Sequence, residues 1–387
     1  MQALGSRRQF DREAQADAAL RAHVLLANLN QLAGTDEVDI LHGDTLNDYL
    51  CILPPSHLEQ IPPKMAKRLI RMRALDYARL YGLYLIVVDA TGIRYSAKRH
   101  CPSCLSQTHN GKTIYYHLVL EAKLITPDGM VFSIGSEFVE NSDPNATRQD
   151  CELAAFPRLA AKIKERFPRL PICVLLDGLY ANQNVFALCR QHHWRWIITF
   201  KHGRLPTAFR EFQTLKALCP ENTLETRVQN RYQCLSWVSD LEHEGHRFTA
   251  FDCLTYNEDQ EPVYFAWITD LPVSVRRVVK LANHGGRKRW TIENQGFNNQ
   301  KNQGYELQHA YSDNNNAIKN YYFILQIAHT LVQLLIHGPV GALFKSAIGS
   351  MKNFFRRFAD SLRHQPIPPQ AVSPLHLQRI QIRLAPT

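Results

Sequence analysis

Two short apolar runs that each end in an aspartate place the strongest constraint on what this chain can fold into. The run at 83–88, LYLIVV, precedes Asp89, and the run at 171–176, PICVLL, precedes Asp177. Continuous apolar runs of this length are typical of strands buried on both faces of a sheet. A carboxylate at the end of such a strand needs hydrogen bonds or a metal ion to compensate for its burial. An aspartate that caps the following helix or turn is the simpler alternative.

The segments around these runs alternate between strand and helix patterns. Residues 113–126 and 129–140 are rich in β-branched and aromatic side chains and are joined by Pro-Asp-Gly, which predicts a hairpin. Helical patterns at 149–167 and 182–194 follow, each before a further strand. The resulting order, β-β-β-α-β-α-β, predicts an α/β fold with a mixed sheet flanked by helices.

The chain of 387 residues is long enough for two or three domains. We expect five regions, of which the third is an inserted antiparallel β subdomain with three strand-like pieces. They are a helical N-terminal region with potential to bind DNA (1–80), the first part of the core (81–203), the β insertion (204–271), a helical completion of the core (272–337) and a basic C-terminal tail (338–387).

The charge distribution favours an anionic partner, with nucleic acid as the first choice. The formal net charge is +10, and residues 338–387 carry seven basic residues against Asp360 alone. Nine cysteines in a chain of this length do not suggest a disulfide framework, so a reducing cytoplasm is expected. The run at 83–88 is far too short to cross a bilayer, so no membrane partner is expected.

A third acid, Glu293, lies in the segment RKRWTIENQGFNNQK at 287–301, which has a helical pattern. In regular α-helical geometry Arg289 lies one turn before Glu293, and Trp290 and Phe297 lie near the same face. This arrangement places Glu293 at the border of an apolar stripe, where the helix meets the sheet. An acid that balances its basic neighbours on a solvated face is the alternative.

With these residues the chain resembles the DDE transposases of bacterial insertion sequences. The matching pieces are VVDATG with Asp89, LLDGLYA with Asp177 and RWTIEN with Glu293, and the resemblance covers residues 75–337. It implies an RNase H-like catalytic core with a β insertion before the last acid. The family signature also has a tyrosine and a lysine around the glutamate. Here Gly286 and Gln300 hold those positions, and Lys301 follows one residue later.

The resemblance implies a metal-dependent DNA transposase. Asp89, Asp177 and Glu293 would bind two Mg²⁺ ions, for which Mn²⁺ can substitute. Four basic residues would contact DNA phosphates: Arg289, Lys301, Lys288 and Arg287. The implied partners are double-stranded terminal repeats and target DNA, bound by a homodimer on paired ends in the bacterial nucleoid. A decayed transposase that only binds DNA and an RNase H-like structure-specific nuclease are the alternatives.

A second candidate metal site lies between the first two predicted strands. The segment HCPSCLSQTH contains His100, Cys101, Cys104 and His109. One Cys-x2-Cys pair with flanking histidines can bind zinc tetrahedrally, although the histidine spacing is unusual. A loop with two reduced thiols is the alternative.

Several other acids compete with the three chosen ones. Asp270 follows the strand-like VYFAWIT and is the strongest competitor. Asp150 and Glu152 are interpreted as first-turn acids of a helix, where the helix dipole favours them. Trp237 and Trp267 in the β insertion are expected in the core, with stacking on unpaired bases as the alternative.

Overall fold

The computed structural model describes residues 22–38, 42–98, 100–141, 148–257, 260–338, 341, 349–371 and 384. Residues 1–21 of the predicted N-terminal region lie outside this range, as do Lys345, Arg379 and Arg383 of the basic tail. Within it, helices flank both faces of one open sheet.

The described chain contributes eleven strands to this sheet. They are β1 (Arg79–Leu80), β2 (Leu83–Ser96), β3 (Leu105–His109), β4 (Lys112–Ile125), β5 (Val131–Val139), β6 (Ile172–Leu176), β7 (Arg195–Thr199), β8 (Thr223–Val228), β9 (Arg231–His243), β10 (His246–Asn257) and β11 (Gln260–Thr269). Their order is β3-β4-β2-β6-β7-β11-β10-β9-β8, with β1 on β2 and β5 on β4. The β2–β6 and β6–β7 pairs are parallel and the other pairs are antiparallel. The predicted α/β class with a mixed sheet is therefore confirmed.

The described helices are α1 (Ala22–Ala33), α2 (Gly43–Ile52), α3 (Ser56–Glu59), α4 (Ile61–Arg71), α5 (Glu152–Arg166), α6 (Gln183–His192), α7 (Pro206–Leu218), α8 (Val275–Lys280), α9 (Asn298–Asn302), α10 (Asn315–His337) and α11 (Met351–His364). Between α8 and α9 the chain stays helical but changes its winding. It is π-helical over Leu281–Gly285, 3₁₀ over Gly286–Trp290 and π-helical again over Ile292–Phe297. No helix in the described ranges has both the length and the apolarity that a bilayer crossing requires.

The central strand β2 is apolar throughout its first half because both of its faces are covered. Ile86 and Val88 belong to one core, which α4, α5 and α6 cover, and Leu85 and Val87 belong to a second core on the opposite face. The π-helical segments and α10 cover that second face. Strand side chains alternate between faces, so a run of four apolar residues serves both cores at once.

The region 204–271 extends the central sheet. β11 pairs with β7 of the core, and β10, β9 and β8 continue outward as an antiparallel meander. The prediction of three strand-like pieces is wrong, because the structure has four strands and, before them, the helix α7. The segment 225–241, whose pattern predicts one strand, divides at Gln229 and Asn230. Their φ angles of +46° and +62° form the two-residue turn between β8 and β9.

The described parts of the two terminal regions pack on the core and on each other. The Asn320 side chain in α10 donates hydrogen bonds to the backbone oxygens of Leu50 and Leu53 at the end of α2. The Asn28 side chain in α1 donates to the backbone oxygens of Leu362 and Gln365 at the end of α11. These buried amides supply partners for carbonyls at helix ends that lack one within the helix.

Candidate active site

The two predicted aspartates lie level with each other in neighbouring parallel strands. β2 and β6 are paired with Val87 opposite Leu175, and Asp89 and Asp177 each follow that pair by two residues. β6 ends just before Asp177, but β2 continues well beyond Asp89. Asp89 is therefore a residue within a strand and not at the strand end that the sequence suggests. Because neighbouring strands are about 4.8 Å apart, both aspartates lie at the carboxyl end of β6.

Each aspartate also has local hydrogen bonds. Asp177 Oδ1 accepts a hydrogen bond from the backbone N–H of Leu179 (2.7 Å) and caps the 3₁₀ helix at 178–180. Asp89 Oδ1 accepts a hydrogen bond from the backbone N–H of Ala90 (3.0 Å). The capping interpretation thus applies to one oxygen of Asp177, and it leaves that residue within the acidic site.

Glu293 reaches the same site from the second π-helical segment, which packs on β2. Its side chain is 40% exposed, and its Oε1 lies 4.0 Å from Lys301 Nζ. A π-helical turn rotates the chain by less per residue than an α-helical turn, so Lys301 lies nearer to the face of Glu293 than regular helical geometry predicts. The same winding leaves Trp290 half exposed while Phe297 is fully buried, so the prediction that both lie on one apolar face is wrong.

The pKa of Asp89 shows that the three predicted acids act on one another. Burial raises the pKa of Asp89, the Arg289 guanidinium opposes that rise, and the charges of Asp177 and Glu293 raise the pKa further. The structure therefore brings the three acids into one site. A site with several carboxylates is unfavourable unless cations balance them.

A fourth acid, Glu152, belongs to this site and was interpreted from the sequence only as a first-turn acid. It is indeed the first residue of α5. Burial raises its pKa, and the charges of Asp89 and Asp177 raise it further. Its Oε1 accepts a hydrogen bond from the hydroxyl of Tyr180 (2.6 Å). The strand order contains the signal for Glu152: β2 runs up, β4 down and β5 up, so the helix after β5 begins at the edge where β6 ends.

Arg289 is the cation in closest contact with the acids. Its Nη1 donates to Asp89 Oδ2 at 3.2 Å, and its guanidinium lies 4.3 Å above the ring of Trp290. Its side chain is only 12% exposed. A second lysine, Lys201, lies beside Gly178, the residue after Asp177: a Cβ on Gly178 would lie 3.9 Å from Lys201 Cδ. Lys201 was not predicted, since nothing in its local sequence marks it.

Arg287 and Lys288 point away from the acids. Arg287 donates hydrogen bonds to Thr255 and Cys253 of β10, and it stacks over the ring of Phe265 at 4.4 Å. Lys288 Nζ donates to the backbone oxygen of Pro127 at 3.1 Å in the β4–β5 turn. Both residues attach the helical stretch to the sheet in this structure.

The two positions that depart from the family signature have structural reasons. A Cβ on Gly286 would lie 2.3 Å from the indole of Trp267, which is buried in the core, so the close contact requires glycine there. Gln300 is fully buried, and its side-chain amide exchanges hydrogen bonds with that of Gln326 on α10. Trp237 is also buried, in agreement with the prediction for both tryptophans.

The strongest competitor, Asp270, lies at the opposite edge of the parallel strands. It follows β11 and accepts a hydrogen bond from the backbone N–H of Trp196 (2.9 Å), and Arg195 Nε lies 3.1 Å away. Both partners stand at the beginning of β7, whereas Asp177 stands at the end of the parallel strand β6. Three further acids are in ion pairs: Glu137 and Asp150 with Arg158, and Glu140 with Lys319.

A separate group of side chains that could hold a metal ion forms at Cys101 and Cys104. The third member is His117 of β4, which lies outside the segment that the sequence marks. His100 stacks on the ring of Tyr115 with 4.3 Å between centroids, and His109 is the last residue of β3. Among the described residues this is the one group of three such ligands whose donor atoms all lie within 4.8 Å of one another. The oxygens of Asp89, Asp177 and Glu293 are therefore more widely spaced.

The acidic site fits a divalent cation that prefers oxygen. Its donors are carboxylate oxygens, and Mg²⁺ prefers such ligands while it keeps several waters. Comparisons of the chain with protein-family models and with curated proteins returned no match.

Proposed function

We propose that the protein is a DNA transposase that cleaves phosphodiester bonds at the ends of its element and joins them to target DNA. One observation carries the proposal. Asp89 and Asp177 lie level in adjacent parallel strands, and Glu293 acts on the same carboxyl group. Two aspartates and a glutamate in one half-buried site form a donor set for divalent cations in phosphoryl transfer.

The strand topology supports an RNase H-like core. The strands β5-β4-β2-β6-β7 are adjacent in that order, and β2, β6 and β7 are parallel. The helix α5 connects β5 to β6, and α6 connects β6 to β7. This arrangement agrees with the fold that the resemblance to DDE transposases implies. The sheet extension β8–β11 then corresponds to the insertion before the last acid.

Each residue of the site has a proposed task. Asp89, Asp177 and Glu293 would hold two Mg²⁺ ions, and Glu152 would add negative charge beside them. The bound ions supply activation of the attacking oxygen and stabilisation of the leaving oxygen. Arg289 leaves Asp89 to contact a DNA phosphate, and Lys301 and Lys201 contact phosphates on either side. In the first step water would attack a phosphodiester, which leaves a 5′-phosphate on one product and a 3′-hydroxyl on the other. In the second step that 3′-hydroxyl would attack a phosphodiester of the target DNA, and the broken bond would release a target 3′-hydroxyl.

The test uses labelled DNA that contains the sequences on both sides of the coding region, incubated with Mg²⁺ and a target plasmid. Cleavage and joining are scored separately on a sequencing gel. We expect wild type to perform both and Asp89→Asn to perform neither, while both bind the labelled DNA equally in a mobility-shift assay. The matched control is Asp270→Asn, because Asp270 is also a partly buried acid after an apolar strand and burial also raises its pKa.

The outcomes of this assay distinguish the proposal from its alternatives. Activity that survives in Asp89→Asn contradicts the assigned site. Cleavage without joining indicates a structure-specific nuclease. Binding without cleavage indicates a decayed transposase, which the buried Gln300 at the lysine position favours, because a fully buried amide cannot reach a phosphate. Gel filtration with paired DNA ends tests the proposed homodimer.

A further inference from the structure

Cys101, Cys104 and His117 form a compact triangle of donor atoms. The two Sγ atoms are 3.5 Å apart, and His117 Nε2 lies 3.4 Å from Cys101 Sγ and 3.3 Å from Cys104 Sγ. In tetrahedral zinc sites Zn–S is about 2.3 Å and Zn–N about 2.0–2.1 Å, which sets S···S near ~3.8 Å and S···N near ~3.6 Å. The observed triangle is within a few tenths of an ångström of these separations.

A disulfide, a hydrogen-bonded cluster and a redox pair all fit this triangle less well than a metal site does. A disulfide needs its sulfurs about 2.05 Å apart, so these two thiols are not joined. A neutral imidazole nitrogen forms one hydrogen bond, as donor or acceptor, and cannot satisfy two sulfurs at similar distances. Redox Cys-x2-Cys pairs are activated at helix N-termini, whereas Cys104 directly precedes the strand β3. A metal ion can satisfy all three donors at once.

The surrounding backbone holds the two sulfurs in place. The N–H of Cys101 points at Cys104 Sγ (3.3 Å), and the N–H of Cys104 donates to the carbonyl oxygen of Cys101 (3.1 Å). The Asn141 side chain donates to the carbonyl oxygen of Cys104 (2.9 Å). His117 is fixed by the β2–β4 ladder, in which it pairs with Arg94. Such outer contacts orient metal ligands before the metal binds.

We propose that Cys101, Cys104 and His117 bind one Zn²⁺ ion, with Glu140 as the fourth ligand. Glu140 follows β5, next to Asn141, and its Oε1 is buried without a hydrogen-bond partner in the described part of the chain. Its Oε2 accepts from Lys319 Nζ at 2.6 Å, which leaves Oε1 as the available ligand atom. Glu140 lies outside the group of donors within 4.8 Å of one another, so its side chain would move towards the ion to complete the site. Each thiol releases its proton on binding, so a thiolate pair and a carboxylate surround the ion.

The zinc site is separate from the acidic site, and the inference does not rest on the proposed function. Glu121, which pairs with Asp89, is four residues beyond His117 on β4, which corresponds to about 13 Å along a strand. The ion joins the segment before β3 to β4 and to the end of β5. Four protein ligands make this a structural site, which stabilises the fold without entering the chemistry.

The test measures zinc in the full chain, purified through a tag without histidines and without chelators. We expect about one zinc per chain in wild type, and loss of zinc in Cys104→Ser and His117→Asn. His100→Ala, His109→Ala and Cys219→Ser are matched controls that keep the ion. Glu140→Gln keeps it with weaker affinity in a competition with a chromogenic chelator.

A second measurement covers variants that fail to fold. Wild-type protein in which Co²⁺ replaces the zinc should show thiolate-to-cobalt charge-transfer bands, and chelation should make two further cysteines reactive towards a thiol reagent. The proposal is overturned if wild type carries no zinc and takes up Co²⁺ without those bands. It is equally overturned if His117→Asn keeps a full equivalent of zinc.

Discussion

Asp89 and Glu121 face each other across the β2–β4 ladder, yet their surroundings differ in kind. Glu121 is fully buried, and its Oε2 accepts hydrogen bonds from Ser136 (2.5 Å) and Tyr322 (2.6 Å). Lys123, also fully buried, lies 3.6 Å from its Oε1. The protein therefore surrounds this carboxylate with its own polar groups, and its Oε1 has the ion pair with Lys123 but no hydrogen bond among the described residues.

Asp89 is one-quarter exposed and shares its site with three other acids, against the single contact from Arg289. Arg289 and Lys301 are the cations in ion-pair contact with these four acids, and the site is partly open to solvent. Burial alone therefore does not identify a functional acid. The structural acid has its counter-charges inside the fold, whereas the site acid needs cations from outside.

The largest expected effect is on catalysis at Asp89. Asp89→Asn removes one charge from a crowded site, so we expect cleavage to fall by about 10⁴-fold, equivalent to about 5 kcal/mol. Because the raised pKa shows that the charge is unfavourable in the fold, the free energy of unfolding should not decrease. Initial rates and urea denaturation check the two halves. A stable variant that retains its activity would contradict the assignment of Asp89 to the active site.

Glu121→Gln should have the opposite profile. The substitution leaves Lys123 buried without its counter-charge, so we expect a loss of about 3–5 kcal/mol of unfolding free energy. Urea denaturation measures this loss, and DNA binding by the folded fraction should be unchanged. If Glu121→Gln proves as stable as wild type, the division into structural and site acids fails.

Two tyrosines that donate to these two kinds of acid allow a direct comparison of stability. Tyr322→Phe removes a donor to the buried charge of Glu121, and we expect it to cost about 1.5–3 kcal/mol. Tyr180→Phe removes a donor to Glu152, which is only partly buried, so its cost should be about 1 kcal/mol. Parallel urea denaturation of both variants tests the order, and a reversed order would contradict it.

The smallest effect concerns pH and His329, a buried neighbour of Lys123. Burial lowers the pKa of His329 well below its usual range, and the charge of Lys123 adds to that. Below about pH 6.5 the unfolded chain therefore binds a proton at this residue that the folded chain does not bind. As the pH is lowered, the free energy of unfolding then decreases by up to about 1.4 kcal/mol per pH unit from this residue. His329→Gln should flatten the slope between pH 5 and 6.5 by that amount. An unchanged slope would show that His329 is protonated in the fold.

Much of the central sheet could be predicted because its strands are marked by local pattern. The apolar runs before Asp89 and Asp177 predict two buried strands, and Pro-Asp-Gly predicts the β4–β5 hairpin. The division of β8 from β9 was missed because Gln229 and Asn230 are weak turn residues compared with glycine.

The site was harder to predict where its members come from distant parts of the chain. Glu152 follows no apolar run, and only the strand order brings it to Asp177. His117 is thirteen residues from Cys104, in the middle of a strand. The local sequence therefore indicates His100 and His109 as zinc ligands and not His117. The changes of helical winding around Glu293 have no evident sequence signal, and they altered which side chains share its face.

The most direct test of the central claim is a crystal of the protein soaked in Mn²⁺ and measured at an anomalous wavelength. We predict manganese bound by Asp89 and Asp177, with Glu293 drawn toward it and Arg289 displaced from Asp89. Manganese that occupies other parts of the molecule and leaves these carboxylates free, with Arg289 still on Asp89, would contradict the account.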